Sequence, residues 1–221
     1  MSFHTLFASG VHDVKNHLNS AIMNLNEAYT TNDTSKLPMV ANHCYELATR
    51  LDQLLLMYKF QGHTYQPDLD YVSLENLVSD SILECQPILD SRHIKLEATL
   101  GECQDQLIRV DPQLFTIILN NLIYNAAIWA KGKVTVTVSK NNGSLLLEVL
   151  DDGDGFPEFM FDLDFAALHN NQDPKLLMQL GTGLYLCAFA SGALTESGIP
   201  CRITFRNDHG AIVSVTLEKQ P

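Results

Sequence analysis

Two asparagines one helical turn apart are the first residues whose types and spacing suit a chemical site. Asn121 and Asn125 lie in the segment LNNLIYNAA, and side chains four residues apart share one face of a helix. Amide oxygens aligned in this way can bind a hard cation such as Mg²⁺, which is usually shared with nucleotide phosphates. Asparagine pairs on helices also commonly face water, so this pair alone leaves both interpretations open.

An acidic, glycine-containing loop is the second candidate. Asp151 follows a run of strand residues and begins the segment DDGDG, in which one residue separates Gly153 from Gly155. Glycines let the backbone approach a ligand closely, and a carboxylate at a strand end can accept a hydrogen bond from an adenine amino group. An acidic β-turn or a calcium loop would look similar, although the further ligands and terminal Glu of an EF-hand loop are missing.

A glycine pair before a predicted helix is the third candidate. Gly181 and Gly183 flank Thr182, and the helix is predicted over 184–194. Unpaired N–H groups and the dipole at a helix start favour an anionic phosphate. Glycine pairs before helices are common, so the order of the three elements within one stretch of chain is more specific than any single one.

The elements that would position these residues follow an α+β pattern from residue 72 onward. Ser73 can cap a helix, and Asp111-Pro112 begins another that reaches roughly Lys131. Strands are predicted from alternating or short apolar runs: 94–100, 107–110, 134–138, 145–150, 201–205 and 211–217. We therefore expect one mixed sheet with helices on one face, an α/β sandwich.

The first 60 residues predict an antiparallel helical hairpin. Apolar residues alternate at spacings of three and four in both helices, and a polar turn at 30–35 precedes Pro38; these are Phe7, Val11, Val14, Leu18, Ala21 and Leu25, then Val40, Cys44, Leu47, Leu51, Leu54 and Tyr58. A two-helix hairpin encloses little core alone, so we expect a homodimer that forms a four-helix bundle. The predicted domains are 1–60 and 72–221, joined by a linker over 61–71.

Composition narrows the function. The net charge of -12 argues against nucleic-acid binding, which needs clustered Lys and Arg. Five scattered cysteines without CxxC spacing suggest neither disulfides nor a zinc site, and fit a reducing cytoplasm. We expect no membrane insertion, because no apolar run approaches the ~20 residues that a membrane span requires.

The ordered set of the asparagine pair, the DxGxG loop and the GxGL segment resembles the ATP-binding domain of two-component histidine kinases. The resemblance covers essentially the whole chain, since residues 1–60 match the dimerisation and phosphoacceptor hairpin of that family, and only a sensor portion is missing. It implies a soluble protein-histidine kinase that uses ATP and Mg²⁺ and passes a phosphoryl group to an aspartate of a response-regulator receiver. Phosphatase activity toward that receiver and a separate sensor protein are also expected.

The segment HDVKN resembles the H-box of the family and gives His12 as the phosphoacceptor. His12 follows a residue of the apolar stripe, so it points about 100° away from that stripe and should be exposed. The resemblance implies that Asp13 orients the ring and accepts its proton, and that Asn16 positions water for phosphatase activity. His17 is the competing acceptor, but only His12 has Asp at the next position and Asn one turn later.

The same resemblance implies the nucleotide site. Asn121 and Asn125 would handle Mg²⁺ and phosphates, with Asn125 as metal ligand, and Asp151 would bind adenine. Glycines would shape the wall of the site beside adenine and phosphates: Gly153, Gly155, Gly181 and Gly183. Residues 156–180 would form a lid over the nucleotide, from which Lys175 could touch a phosphate.

Two positions depart from the family pattern. Tyr185 stands where relatives often have a further glycine, and Ile128 stands where many have a basic residue. An alternative is therefore a dimeric histidine phosphotransfer protein with a degenerate ATP-binding domain that does not bind ATP. A third possibility, an ATP-hydrolysing clamp of the same wider superfamily, does not explain the hairpin.

Overall fold

The computed structural model describes residues 3–61, 65–141, 143–163, 165–168 and 174–218. They form two compact units, Met1–Tyr65 with Gln172–Thr182, and Gln66–Asn171 with Gly183–Pro221. The first unit is helical and the second combines helices with a mixed sheet. The predicted α+β fold class, with an N-terminal helical hairpin and an α/β sandwich, is confirmed.

Two long helices make up the hairpin. Helix α1 covers Phe3–Thr31 and α2 covers Leu37–Gln61, and a short 3-10 turn, Thr34–Lys36, connects them. Asp33 caps this turn by accepting a hydrogen bond from the backbone N–H of Ser35 at 3.0 Å. The predicted polar turn and the place of Pro38 in the first turn of α2 are both observed.

Only part of the apolar stripe predicted on α1 is buried in the single chain. Val11, Leu18 and Leu25 remain about half exposed, at 47%, 47% and 49%, whereas Ala21 of the same stripe is buried. Gly10 also lies in the contact, since a Cβ atom there would lie 2.5 Å from Cδ2 of Leu54, a buried residue of the stripe predicted on α2. The predicted hairpin is observed, and the larger apolar side chains of the α1 stripe are left open to another surface.

A five-stranded sheet forms the centre of the second unit. Its order is β2-β4-β5-β7-β6, with β2 parallel to β4 and all other pairs antiparallel. The strands are β2 Lys95–Thr99, β4 Lys133–Asn141, β5 Ser144–Asp151, β6 Cys201–Asn207 and β7 Ala211–Leu217. Inward residues such as Val134, Val136 and Leu147 are fully buried, as the alternating pattern predicts.

A separate two-stranded sheet corrects the prediction of one sheet. Strand β3, Leu107–Val110, pairs antiparallel with β1, Asp70–Ser73. Strand β1 begins inside the range that the sequence assigns to the linker. Its pairing needs a partner more than thirty residues away, which a local pattern does not reveal.

The helix Pro112–Trp129 packs on strands β4 and β5 of the large sheet, and the helix Leu74–Ser91 packs on Pro112–Trp129. Helix α3 is Leu74–Ser91, α4 is Pro112–Trp129, and α6 is Pro174–Glu196, with a short α5 at Phe165–Leu168. The predicted caps are observed, because Ser73 Oγ accepts from Asn76 N at 3.3 Å and Asp111 Oδ1 from Leu114 N at 2.9 Å. Within the part of the chain that the structure describes, no helix has both the length and the apolarity to cross a membrane.

Candidate functional site

Helix α4 brings two of the three predicted motifs together. Asn121, Asn125 and Trp129 follow one another at intervals of one helical turn, so they lie about 6 Å apart along the axis. The first of them contacts the GxG segment and the last contacts the DxGxG loop. Asn125 is half-buried and lies between these two contacts.

Gly183 allows α6 to approach Asn121. A Cβ atom at Gly183 would stand 2.6 Å from Asn121 Oδ1, well inside ordinary contact distance. The side chain of Asn121 is buried, and its Nδ2 donates to the backbone oxygen of Ile117 at 2.7 Å. Asn121 therefore holds the helix contact, whereas Asn125 is the more accessible member of the pair.

Gly153 allows the loop to approach the end of α4. A Cβ atom there would lie 2.4 Å from the backbone oxygen of Trp129 and 2.8 Å from Asp151 Oδ1. The amide of Gly153 also donates to Asp151 Oδ1 at 2.8 Å. Because Gly153 has no side chain, the loop can approach both the Asp151 carboxylate and the end of α4.

Asp151 is held at the junction of β5 and β7. Its Oδ1 accepts from the amides of Gly153 and Ala211, the latter at 3.4 Å. Burial raises the pKa of this carboxyl; the two hydrogen bonds act to lower the pKa, and the neighbouring Asp152 raises it further. Gly210 is required here as well, since a Cβ atom on it would lie 1.9 Å from the backbone oxygen of Asp151.

Asn207 fixes the second glycine of the loop. Its Oδ1 accepts from Phe156 N at 2.8 Å, and its Nδ2 donates to Phe156 O at 2.9 Å. Gly155 has φ +86, and a Cβ atom on it would lie 2.7 Å from the Asn207 side chain. The sequence does not predict a role for Asn207 or Gly210, because they lie in an NDHG turn between two predicted strands, which looks like an ordinary hairpin turn.

Asp152 ties the loop to the connection between α4 and β4. Its Oδ1 accepts from Lys131 N at 2.7 Å and Gly132 N at 3.1 Å. Burial opposes ionisation of Asp152, but backbone hydrogen bonds including these two outweigh it and lower the pKa. Lys131 also pairs with Asp154 at 2.5 Å on the exposed side of the loop.

The first part of the predicted lid is anchored to β6. Phe156 and Phe165 both pack edge-on against Phe205, with ring centroids 5.1 and 5.0 Å apart. Phe165 is almost fully buried at 1% exposure. Of the residues predicted to form the rest of the lid, 169–173 and the Lys175 side chain lie outside the described residues.

Gly181 interrupts α6. Its backbone has φ 74 and ψ 170, which are not helical angles and which residues with a Cβ rarely adopt. A new helical segment follows it, in agreement with the predicted helix start.

The two departures from the family pattern have defined surroundings. Tyr185 is half-buried, and burial raises the pKa of its phenol. Ile128 is near the end of α4, where its carbonyl accepts from Arg92 Nη1 at 3.0 Å. The guanidinium of Arg92, the residue that follows α3, therefore lies beside the position that lacks the expected basic side chain.

On α1, His12 is exposed and contacts Asn16. Asn16 Nδ2 lies 3.1 Å from His12 Nδ1, one helical turn away. This contact can orient the ring and leaves Nε2 as the nitrogen directed away from the helix neighbour. The side chain of Asp13 lies outside the described residues.

Residues 110–221 match the family described as Histidine kinase-, DNA gyrase B-, and HSP90-like ATPase. The signal transduction histidine-protein kinase AfsQ2 of Streptomyces coelicolor is 26% identical over 185 residues, which are 83% of this chain and 32% of that protein. The sensor-like histidine kinase SenX3 of Mycolicibacterium smegmatis is 22% identical over 179 residues, 80% of this chain and 46% of that protein. The chain thus spans less than half the length of these curated relatives.

A solved structure shares the fold. The Acinetobacter baumannii histidine kinase AdeS superposes with a TM-score of 0.62 at 13% identity, over 94% of this chain and 98% of that one. The matched part of this chain includes residues of both the helical hairpin and the α/β unit. At 13% identity the comparison shows the fold alone.

Proposed function

Because this chain belongs to the family of histidine kinase-, DNA gyrase B- and HSP90-like ATPases, we propose that it is a histidine kinase that phosphorylates its own His12 from ATP. The phosphoryl group then passes to an aspartate of a response-regulator receiver, and Asn16 supports phosphatase activity toward the same partner. A cytoplasmic location fits this use of ATP.

The observation that carries the proposal is the arrangement on α4. Asn121 meets Gly183, Trp129 meets Gly153, and Asn125 stands between them. The other two motifs thus meet α4 at points two turns apart, the side chain of Asn121 and the backbone oxygen of Trp129. Such an arrangement suits an elongated ligand with a base at one end and phosphates at the other.

Each end of that face has chemistry for one part of ATP. Asp151 uses Oδ1 for backbone hydrogen bonds, and Oδ2 is the oxygen that would accept from the adenine amino group. The glycines at 181 and 183 would let backbone N–H groups near the start of a helical segment face the phosphates. Asn125 offers a half-buried amide oxygen, a hard donor that fits Mg²⁺, and the ion would supply neutralisation of phosphate charge.

The reaction needs an exposed nucleophilic nitrogen, and His12 provides it. In the tautomer with a lone pair on Nε2, this nitrogen attacks the γ-phosphorus of ATP while the bond to the β-phosphate oxygen breaks and ADP leaves. In that tautomer Nδ1 carries a proton, which Asp13 would take up. The contact of Asn16 Nδ2 with His12 Nδ1 fits the other tautomer, because an amide N–H can only donate, so Asn16 would release the ring before attack. Transfer to the receiver exchanges the N–P bond for an aspartyl O–P bond and regenerates His12.

The open apolar stripe supports a homodimer. Leu18, Leu25 and Leu51 are about half exposed in one chain, at 47%, 49% and 53%. Burying such leucines contributes roughly 25 cal/mol per Å² of apolar surface. A second copy would close a four-helix bundle, and a separate sensor protein would act on that bundle.

Incubation with γ-labelled ATP and Mg²⁺ tests the proposal. The wild type should acquire acid-labile, alkali-stable label, and His12→Gln should acquire none while still binding nucleotide. His17→Gln separates the two candidate acceptors, because it should keep the label if His12 is the acceptor. A receiver added to labelled kinase should then gain the label.

Failure has two distinguishable forms. Label that disappears only in His17→Gln would move the acceptor to that residue. Absence of both label and nucleotide binding in the wild type would favour the phosphotransfer protein with a degenerate ATP site. Tyr185→Gly and Ile128→Lys would then be the variants expected to restore nucleotide binding.

A further inference from the structure

Three potential metal ligands converge between the two helices of the hairpin. His17 is on α1, and His43 and Glu46 are on α2. His17 Nδ1 lies 2.8 Å from Glu46 Oε2, and His43 Nδ1 lies 3.4 Å from the same oxygen. One ligand atom from each residue falls within 4.8 Å of the other two.

The spacing suits a small tetrahedral ion. Zinc binds imidazole nitrogen and carboxylate oxygen at about 2.0 to 2.2 Å, so two ligands of one tetrahedral ion stand roughly 3.3 Å apart. The two distances to Glu46, 2.8 and 3.4 Å, lie on either side of this value. The two imidazoles offer ligand atoms within 4.8 Å of each other, so side-chain rotation would have to bring these atoms closer to complete the geometry.

One of the ligand atoms lacks a hydrogen bond. His43 Nδ1 is buried, and among the described residues it has no hydrogen-bond partner. Buried polar atoms are nearly always hydrogen-bonded, and the 3.4 Å approach of this nitrogen to Glu46 Oε2 does not form a hydrogen bond. A metal–nitrogen bond would satisfy this atom.

The surroundings allow a fourth ligand. The side chains of His17, His43 and Glu46 are 30%, 26% and 20% exposed. Water can therefore reach the cluster, and three protein ligands plus one water make a common zinc arrangement. Magnesium and calcium are less suited, because they prefer sites made of oxygen atoms.

We propose that His17, His43 and Glu46 bind a first-row transition-metal ion, Zn²⁺ in the first instance, which clamps α1 to α2. His43 and Glu46 share a face of α2, being three residues apart, and His17 reaches them from α1. The site is five residues after His12, about 7.5 Å along the helix axis. Occupancy would fix the helix spacing beside the phosphoacceptor, but the site itself does not depend on kinase activity.

Titration of the chelator-stripped 221-residue protein with Zn²⁺ measures the site directly. We expect one tight site per chain by calorimetry and a higher melting temperature of the hairpin with Zn²⁺ but not with Mg²⁺. His43→Gln and Glu46→Gln should each weaken Zn²⁺ binding by at least about 10-fold, since each removes a ligand. Cobalt substitution should give absorption bands of nitrogen and oxygen ligands without thiolate charge transfer.

Two control variants exclude other zinc ligands. Cys44→Ser removes an exposed thiol next to His43, and His209→Asn removes a fully exposed imidazole; both should bind Zn²⁺ as the wild type does. Loss of binding in Cys44→Ser, or thiolate bands in the cobalt spectrum, would overturn the proposal. So would wild-type affinity no tighter than that of the variants, and the wild-type cobalt spectrum decides the matter even if a variant misfolds.

Discussion

The contact between Gly183 and Asn121 makes a quantitative prediction about two residues of the candidate site. In Gly183→Ala the new methyl would start 2.6 Å from Asn121 Oδ1, about 1 Å inside normal van der Waals contact. The asparagine cannot easily yield, because it is buried and its Nδ2 is bonded to Ile117 O at 2.7 Å.

The expected cost combines two opposing contributions. Overpacking costs about 1–3 kcal/mol, while alanine in place of a helical glycine gains about 0.5–1 kcal/mol. Gly183→Ala should therefore lower the free energy of unfolding by about 0–2.5 kcal/mol. In an Asn121→Ala background the overlap is gone, so the same change should stabilise by about 0.5–1 kcal/mol, which gives a coupling of about 1–3 kcal/mol.

Urea unfolding followed by tryptophan fluorescence measures the free energies of unfolding of these variants. The signal comes from the α/β unit, in which Asn121 and Gly183 lie. Trp129 is the one tryptophan of the chain and lies at the end of α4. Gly132→Ala is the matched control, since the nearest atom to its added Cβ is Asp152 Oδ2 at an ordinary 3.6 Å; it should change stability by no more than about 0.5 kcal/mol. An equal effect of Gly183→Ala in both backgrounds would refute the contact.

Four further predictions concern the loop and the hairpin. Asp151→Asn should weaken ATP binding by about 10- to 100-fold, because hydrogen bonds to a charged acceptor contribute about 1.5–3 kcal/mol. Calorimetry measures the affinity, and an unchanged value would contradict a role of Asp151 in binding adenine. Burial raises the pKa of Asp151, so the folded state holds this proton more tightly than the unfolded state does. The free energy of unfolding should therefore fall as the pH rises from the ordinary pKa of Asp through the raised pKa of Asp151. This pH dependence should vanish in Asp151→Asn. Asn207→Ala should lower the free energy of unfolding by about 1–2 kcal/mol through two lost hydrogen bonds to Phe156, measured in urea, and no change would show that those bonds are not formed. Leu18→Glu should give a monomer by light scattering with nucleotide affinity intact, whereas a persistent dimer would place the interface elsewhere.

Much of the second unit follows from local sequence. Several structural features depend only on residues close together in the sequence, so a local pattern predicts them. These are the alternating valines of β4, the caps at Ser73 and Asp111, and the helix start after Gly181. The three candidate motifs can be recognised in the sequence for the same reason. The order in which they occur was sufficient to predict the family.

Tertiary structure alone decided which residues support the site. Asn207 holds Phe156 across 51 positions, and Gly210 approaches Asp151 across a strand pair, so neither role has a local pattern. Likewise β1 becomes a strand only because β3 pairs with it.

The hairpin shows the same division between local and long-range information. Periodicity predicts two amphipathic helices, because apolar residues recur at the helical repeat. It does not tell which members of a stripe face the neighbouring helix: Gly10 approaches Leu54 and Ala21 is buried, whereas Leu18 and Leu25 stay about half exposed. The sequence by itself determined the elements and the chemistry of the motifs, while only long-range packing decided which atoms meet, because a contact depends on residues that lie far apart along the chain.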